Sequence, residues 1–223
     1  ANPKSITLNS IRNPAVQDVY EPGSTGKVIT VAAALEEKKT TPTSIFTIPY
    51  ELKIGTRKYH DHEKHSTERL TTTGLLAISS NTGAIQVGQE LGSNTLFKYL
   101  NKFGIGQNTG SHLPGESSGI LHPVEQWTDS SLPTMSFGQG YSVTALQATS
   151  VFATIANDGI RVTPNVVAGT TDSTGNFSAS KPQSSTRVIS SETARQLRAM
   201  LESVVSENGT APAAAIPGYR VAG

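Results

Sequence analysis

Ser24 and Lys27 stand three residues apart in the stretch "EPGSTGK", directly ahead of the apolar run "VITVAAAL" at residues 28–35. A serine hydroxyl becomes a nucleophile only when a nearby base removes its proton. Residues i and i+3 of a helix share a face, so the Lys27 amine can reach Ser24. To act as that base, lysine must be neutral when needed. Its pKa has to fall from the free value to near 7, a drop of roughly 3 units or ~4 kcal/mol. Burial against an apolar helix supplies such a shift, and a neighbouring cation adds to it. Pro22-Gly23 gives a tight entry and leaves the Ser24 N–H free at a helix start, where it can help hold a developing oxyanion.

The spacing alone is weak evidence, because Ser178-Ala179-Ser180-Lys181 repeats it and has its own downstream Ser-x-Asn, Ser206-Glu207-Asn208. Context separates the two copies. Pro182 disfavours helix at Lys181. Ser178 lies in a polar, turn-like stretch that cannot desolvate a lysine, and residues 206–208 read as the frayed end of a helix. The first copy has a better second element, Ser79-Ser80-Asn81, set between the apolar stretches 75–78 and 85–87. In an extended link, Ser79 and Asn81 share one side and Ser80 takes the other. A second hydroxyl can relay a proton between Lys27 and a leaving group. An asparagine amide both donates and accepts, so Asn81 can hold Lys27 and a substrate amide together. The alternative is a polar turn that caps the second helix.

These residues need elements to position them. Residues 24–38 read as a helix, apolar all round and therefore buried, with Lys38 and Lys39 suiting its C-terminal end. "TPTSIFTIP" and "ELKIG" read as short extended segments. "NTLFKYLNKFG" is an amphipathic helix with Leu96, Phe97, Leu100 and Phe103 on one face, and Gly104 stops it. Residues 104–141 read as long Gly-, Pro- and Ser-rich loops, which in compact domains are more often functional than idle. Ser142 can cap a helix that ends at Asn157-Asp158-Gly159. Residues 160–189 suggest strands around a polar tip. The last helix starts near Ser190 or Ser191, presents Ala194, Leu197, Leu201, Val204 and Val205, and ends at Asn208-Gly209. Residues 1–20 read as loop, with Asn-Pro twice, at Asn2-Pro3 and Asn13-Pro14.

The 223 residues allow one large domain or two small ones, with a net charge of +1. The basic residues form no run, so nucleic-acid binding has little support. There are no cysteines, which removes disulfides, thiolate metal sites and a cysteine nucleophile. No apolar run is long enough to cross a membrane, and no signal peptide is evident.

At "EPGSTGK" and Ser79-Ser80-Asn81 the chain resembles the penicillin-binding proteins, specifically the class B transpeptidases of cell-wall synthesis. The related triplet is Ser-x-x-Lys, Ser-Asp-Asn and Lys-Thr-Gly. The stretches "NPAVQDVYEPGSTGK", "FGIGQNTGSHLPGESSGIL", "SFGQGYSVTALQ" and "PGYRVAG" look like class B sequence in class B order, nearest to the septal, cell-division branch. No Lys-Thr-Gly is present: Lys39-Thr40-Thr41 lacks the glycine, and the chain stops at Gly223 where the resemblance places that lysine. The expectation is a partial transpeptidase domain over residues 1–223, a helical subdomain packed with an antiparallel sheet in an α/β (α+β) fold. Part of that sheet lies outside this chain, and a missing segment or second chain carries Lys-Thr-Gly.

The resemblance implies a serine acyltransferase. Ser24 attacks the D-Ala-D-Ala bond of a peptidoglycan stem peptide, Lys27 takes its proton, and Ser79 helps pass a proton to the departing D-alanine. Asn81 positions Lys27 and the donor amide, and Gly138 and Gly140 permit close backbone packing beside the substrate. A β-lactam mimics D-Ala-D-Ala and acylates Ser24. The resemblance implies no cofactor, and it implies partners among cell-division proteins including a glycosyltransferase. It implies a place on the extracytoplasmic face of the bacterial cytoplasmic membrane, held by an upstream anchor. Competing readings of the same fold are a serine β-lactamase and a non-catalytic β-lactam sensor. Class A β-lactamases carry a Glu-x-x-Leu-Asn element, whose spacing Glu90-Leu91-Gly92-Ser93-Asn94 misses. His60, His62 and His65 with Asp61 and Glu63 offer zinc-type ligands, but their spacing fits no standard motif and reads as a solvated polar loop. Trp127 reads as a packing anchor and Glu116 as loop structure.

Overall fold

The structure is a computed structural model that describes residues 12–180 and 184–223. Its centre is the helix following the serine. Residues Gly23–Gly26 form one 3₁₀ turn that runs without a break into α2 (Lys27–Glu36), after a short α1 (Pro14–Gln17). Nine of the ten residues of α2 are buried, as an all-round apolar helix requires. Burying each of Val28, Ile29, Val31 and Leu35 stabilises the fold by ~1.5–3 kcal/mol. Around α2 pack α3 (Thr72–Ala77), α4 (Asn81–Leu91), α5 (Ser93–Lys102) and α8 (Ser191–Glu202). The far end of α2 is pinned to the start of α8, where Ser190 N–H and both the Ser190 and Thr193 hydroxyls donate to the Glu36 carboxylate.

The strands form antiparallel pairs at the periphery. β1 (Ile45–Ile48) pairs with β4 (Glu68–Thr71), and β2 (Glu51–Ile54) with β3 (Arg57–His60). β5 (Ile160–Val162) pairs with β8 (Ser185–Arg187), and β6 (Gly169–Thr171) with β7 (Phe177–Ala179). Among the described residues each pair is a separate two-stranded unit. The β2–β3 hairpin turns at Gly55-Thr56, with Gly55 at φ 58° as the first residue of a two-residue hairpin loop allows. Its Tyr59 packs with Ala84, Ile85 and Phe137, which fixes the hairpin over α4.

Several expectations shift. His60, the first histidine of the presumed polar loop, lies on β3, because the Gly55 turn pairs "RKYH" with "ELKI". Residues 104–141 contain α6 (Ser131–Ser136), whose Pro133, Met135 and Ser136 are buried. α6 lies so close to α4 that a Cβ on Gly88 would come within 1.9 Å of Ser136 Oγ. Ser142 does not cap α7 (Ala145–Ala156): it bridges to Ile120, and Thr144 caps through a reciprocal box with Gln147. The Gln147 amide then donates to the Gly104, Gln107 and Ser118 carbonyls, tying the long loop to α7. Helix α8 ends at Glu202 and continues as a 3₁₀ turn over Ser203–Val205, short of Asn208-Gly209. Phe97 is only partly buried, and Tyr99 takes a place in the core beside Leu96, Leu100 and Phe103. Asn13 caps α1, a turn absent from the expected loop; Asn2-Pro3 lies outside the described residues.

Candidate active site

Four segments converge at the N-terminal end of α2. Ser24 is exposed on the 3₁₀ turn, in the first turn of a helix, where backbone N–H groups have no intrahelical acceptor. Lys27, the first residue of α2, is 1% exposed directly beneath it. Its Nζ lies 3.3 Å from Ser24 Oγ and 2.9 Å from Ser79 Oγ, and also donates to the Ser79 carbonyl. Burial brings the Lys27 pKa down from 10.5 to about 8, against the opposing pull of the Asp61 carboxylate. A position at a helix N-terminus also disfavours a cation. At neutral pH the amine is therefore mostly protonated, with a far larger neutral fraction than a free lysine has.

Ser79 reaches Lys27 through a conformation the extended-link expectation did not contain. It sits between α3 and α4 with φ 58°, in the left-handed region. Ser79 N–H donates to Leu76 O and Ser80 N–H to Leu75 O, the paired bonds of a Schellman C-terminus. Glycine usually holds that position; a serine there costs ~1–2 kcal/mol. The turn aims both the carbonyl and the hydroxyl of Ser79 at Lys27. Ser80 faces the other way and caps α4, accepting from Gly83 N–H at 2.9 Å. The stretch is thus both a site element and a helix cap.

Asn81 is the first residue of α4 and half-buried. Its amide donates to His60 O at 3.1 Å and makes no described hydrogen bond to Lys27, so the expected direct hold on Lys27 is replaced by an anchor on β3. The residue that ties this turn down is Asp61, which sequence reasoning treated only as part of a polar loop. It is 5% exposed, and its carboxylate accepts from Asn81 N–H at 2.5 Å, Thr82 N–H at 2.9 Å and Ser80 Oγ at 2.7 Å. These occupy the first orphan amides of α4 with a negative charge, the favourable sign for a helix N-terminus. No local spacing announces it, because the β2–β3 hairpin delivers it.

The fourth segment carries Gly138 and Gly140. Gly23 N–H donates to Gly138 O at 2.8 Å, and a Cβ on Gly138 (φ 88°) would fall 1.8 Å from Gly23 O. Only glycine lets the two backbones lie this close. Gly140 (φ 80°) donates its N–H to the Glu21 carboxylate at 2.9 Å. Both glycines thus brace the serine turn.

The other candidates resolve locally. Trp127 donates to His122 O and packs edge-on against Phe97 at 6.1 Å. Glu116 accepts from Thr109 and Ser111 within its loop. Among the described residues no group of three or more His, Cys, Asp or Glu side chains converges as for a metal. Among them, too, no helix is long and apolar enough to cross a membrane. Ser178 lies on the exposed strand β7, and Lys181 lies outside the described residues.

The chain is 41% identical to penicillin-binding protein PbpB of Mycolicibacterium smegmatis across 95% of this chain and 34% of that protein. It is 34% identical to peptidoglycan D,D-transpeptidase FtsI of Escherichia coli across 99% of this chain and 36% of that one. It therefore spans about a third of the length of the curated relatives it matches. The crystal structure of penicillin-binding protein 3 from Mycobacterium tuberculosis complexed with ampicillin superposes with a TM-score of 0.90 at 38% identity, over 93% of this chain and 47% of that one. The penicillin-binding protein transpeptidase domain model matches residues 1–223. A match over the whole length, with close relatives in sequence and structure, means that the chain belongs to the penicillin-binding protein transpeptidase domain family.

Proposed function

We propose that this chain carries the nucleophile side of a serine D,D-transpeptidase site, with Ser24 as nucleophile and Lys27 as base. The observation that carries the reading is the exposed Ser24 hydroxyl 3.3 Å from a buried amine whose pKa lies near 8. Lys27 takes the Ser24 proton as Oγ attacks the carbonyl of the terminal D-Ala-D-Ala bond. The carbon–oxygen bond forms, the carbon–nitrogen bond breaks, and D-alanine leaves as an amine. Ser79 passes a proton from Lys27 to that amine, in keeping with its 2.9 Å contact. Asn81 orients the donor stem amide from the first turn of α4. Gly138 and Gly140 shape the wall beside the substrate. An amine of a neighbouring stem then attacks the ester and completes the cross-link. A β-lactam acylates the same serine, as the ampicillin complex of the similar protein suggests.

The reading extends to the whole protein. Residues 1–223 form part of the transpeptidase domain, and a Lys-Thr-Gly strand, carried by a further segment or a second chain, completes the site. That strand supplies a second oxyanion N–H, the grip on the substrate carboxylate and a cation beside Lys27. The protein acts at the outer face of the cytoplasmic membrane on an upstream anchor, with cell-division proteins including a glycosyltransferase as partners.

The test is mass spectrometry of the full-length protein after incubation with a labelled penicillin, followed by peptide mapping. A stable adduct on Ser24, absent in Ser24→Ala, supports the reading. Rapid adduct loss with drug hydrolysis turns it towards a β-lactamase, and an adduct on Ser178 overturns it.

A further inference from the structure

The loop between β3 and β4 holds a carboxylate–imidazole pair behind the site. Asp61 binds the Ser80–Thr82 turn as described, and its Oδ2 also lies 3.1 Å from His65 Nε2. The other ring nitrogen, His65 Nδ1, lies 2.6 Å from Ser66 O. A carbonyl and a carboxylate can only accept, whereas a neutral imidazole has one N–H. Both contacts are satisfied together only by the imidazolium. Deprotonation must turn one of them into a meeting of lone pairs. The titratable groups facing His65 are Asp61, Glu68 at the start of β4, and Tyr50, whose ring stands edge-on at 6.0 Å. The two carboxylates favour the cation.

We propose that Asp61 and His65 are a positioning pair for the acylation site, in which the protonated His65 clamps and partly neutralises the carboxylate that holds the Ser79–Ser80–Asn81 turn against Lys27. Among the described residues Asp61 is the charge that raises the Lys27 pKa, so compensating it lets Lys27 give up its proton more readily. The His65 pKa is raised by its bond to Ser66 O and by Asp61. As pH rises through that raised value the clamp loosens and Asp61 regains its full pull on Lys27. The pair thus supports acylation on the acid side, where neutral Lys27 is scarcest. His65 touches no reacting atom and acts only through Asp61. The inference rests on Ser24 and Lys27 being the acylating pair.

The experiment measures the second-order rate of Ser24 acylation by a fluorescent penicillin from pH 5.5 to 9 in the full-length protein. Wild type is compared with His65→Gln, Asp61→Asn and, as control, His62→Gln on the exposed part of the same loop. The expected result is that wild type exceeds His65→Gln by about threefold or more at pH 6, with the two converging by pH 8.5. His62→Gln follows wild type throughout. Asp61→Asn frees the Ser80–Thr82 turn and is slower than wild type, and it lowers the His65 pKa, read by NMR, leaving only the raises from Ser66 O and Glu68. A wild-type to His65→Gln ratio that does not change with pH means a merely structural histidine and overturns the proposal. So does a His65 pKa unmoved by Asp61→Asn in a variant whose NMR spectrum shows the native fold, a readout that needs no activity; if that variant does not fold, the pH dependence of the His65→Gln ratio decides alone. Absence of any wild-type adduct on Ser24 sinks the acyltransferase reading itself, and this proposal with it.

Discussion

Ser24 and Ser178 each head a Ser-x-x-Lys sequence, yet one opens a buried helix and the other sits on an exposed hairpin. At Ser24 the lysine lies under the hydroxyl, is stripped of water, and meets a second serine from a different part of the chain. At Ser178 the strand is solvent-facing, and its partner β6 is itself largely exposed. The Asp172 turn that closes this hairpin is satisfied by its own neighbours, Thr174 and Asn176. What separates chemistry from coincidence is the environment. On the proposed reading, the motif becomes a reactive pair where an apolar helix desolvates the amine and a long-range contact aims it.

The largest expected effect sharpens this contrast. Ser24→Ala should lower penicillin acylation by ~10⁴-fold or more, and Ser178→Ala should leave it within twofold, as read by gel fluorescence or intact mass. The next effect compares two left-handed glycines. Gly138→Ala forces a methyl onto Gly23 O in addition to the φ strain, and should cost ~3 kcal/mol or more in denaturant unfolding while slowing acylation. Gly175→Ala, on the hairpin with open space around it, should cost only ~1 kcal/mol of φ strain and leave acylation untouched. The smallest effect isolates the strain stored at Ser79. Ser79→Gly should be more stable than Ser79→Ala by ~1 kcal/mol, because glycine accepts the left-handed turn, while both lose the hydroxyl and acylate more slowly.

The serine turn, the buried character of α2 and the pairing of Ser24 with Lys27 were legible because they are local: tight-turn residues, an i,i+3 spacing and an unbroken apolar run. Gly104 as a stop, and the start of α8 near Ser190 or Ser191, were legible for the same reason. Asp61 was not. Its role depends on a hairpin register that sets His60 opposite Glu51 and delivers the next residue to the end of α4. Nor was the left-handed Ser79 legible, since serine in that position is chosen by the contacts it makes and not by its own preference. Helix α6 was hidden by Pro133 and four serines between residues 117 and 131; it is held by burial against α4. Thr144 displaced Ser142 as a cap because Gln147 stands at the matching third position. That two-residue signal lay in the sequence and outranked Ser142, two residues farther from the helix.

The pH dependence of Ser24 acylation tests the central claim most directly, because it reads the protonation of Lys27 in place. As the proposed base, Lys27 must lose its proton to act, so the rate should rise with pH, fall off about tenfold per unit well below the transition, and level off above about 8. Lys27→Arg, which keeps the charge and cannot deprotonate, should lack this limb and lose ~10²–10⁴-fold in rate. A wild-type limb centred near 8 and absent in Lys27→Arg is the predicted result. A limb that persists in Lys27→Arg, or one centred near the free-lysine value of 10.5, contradicts the account.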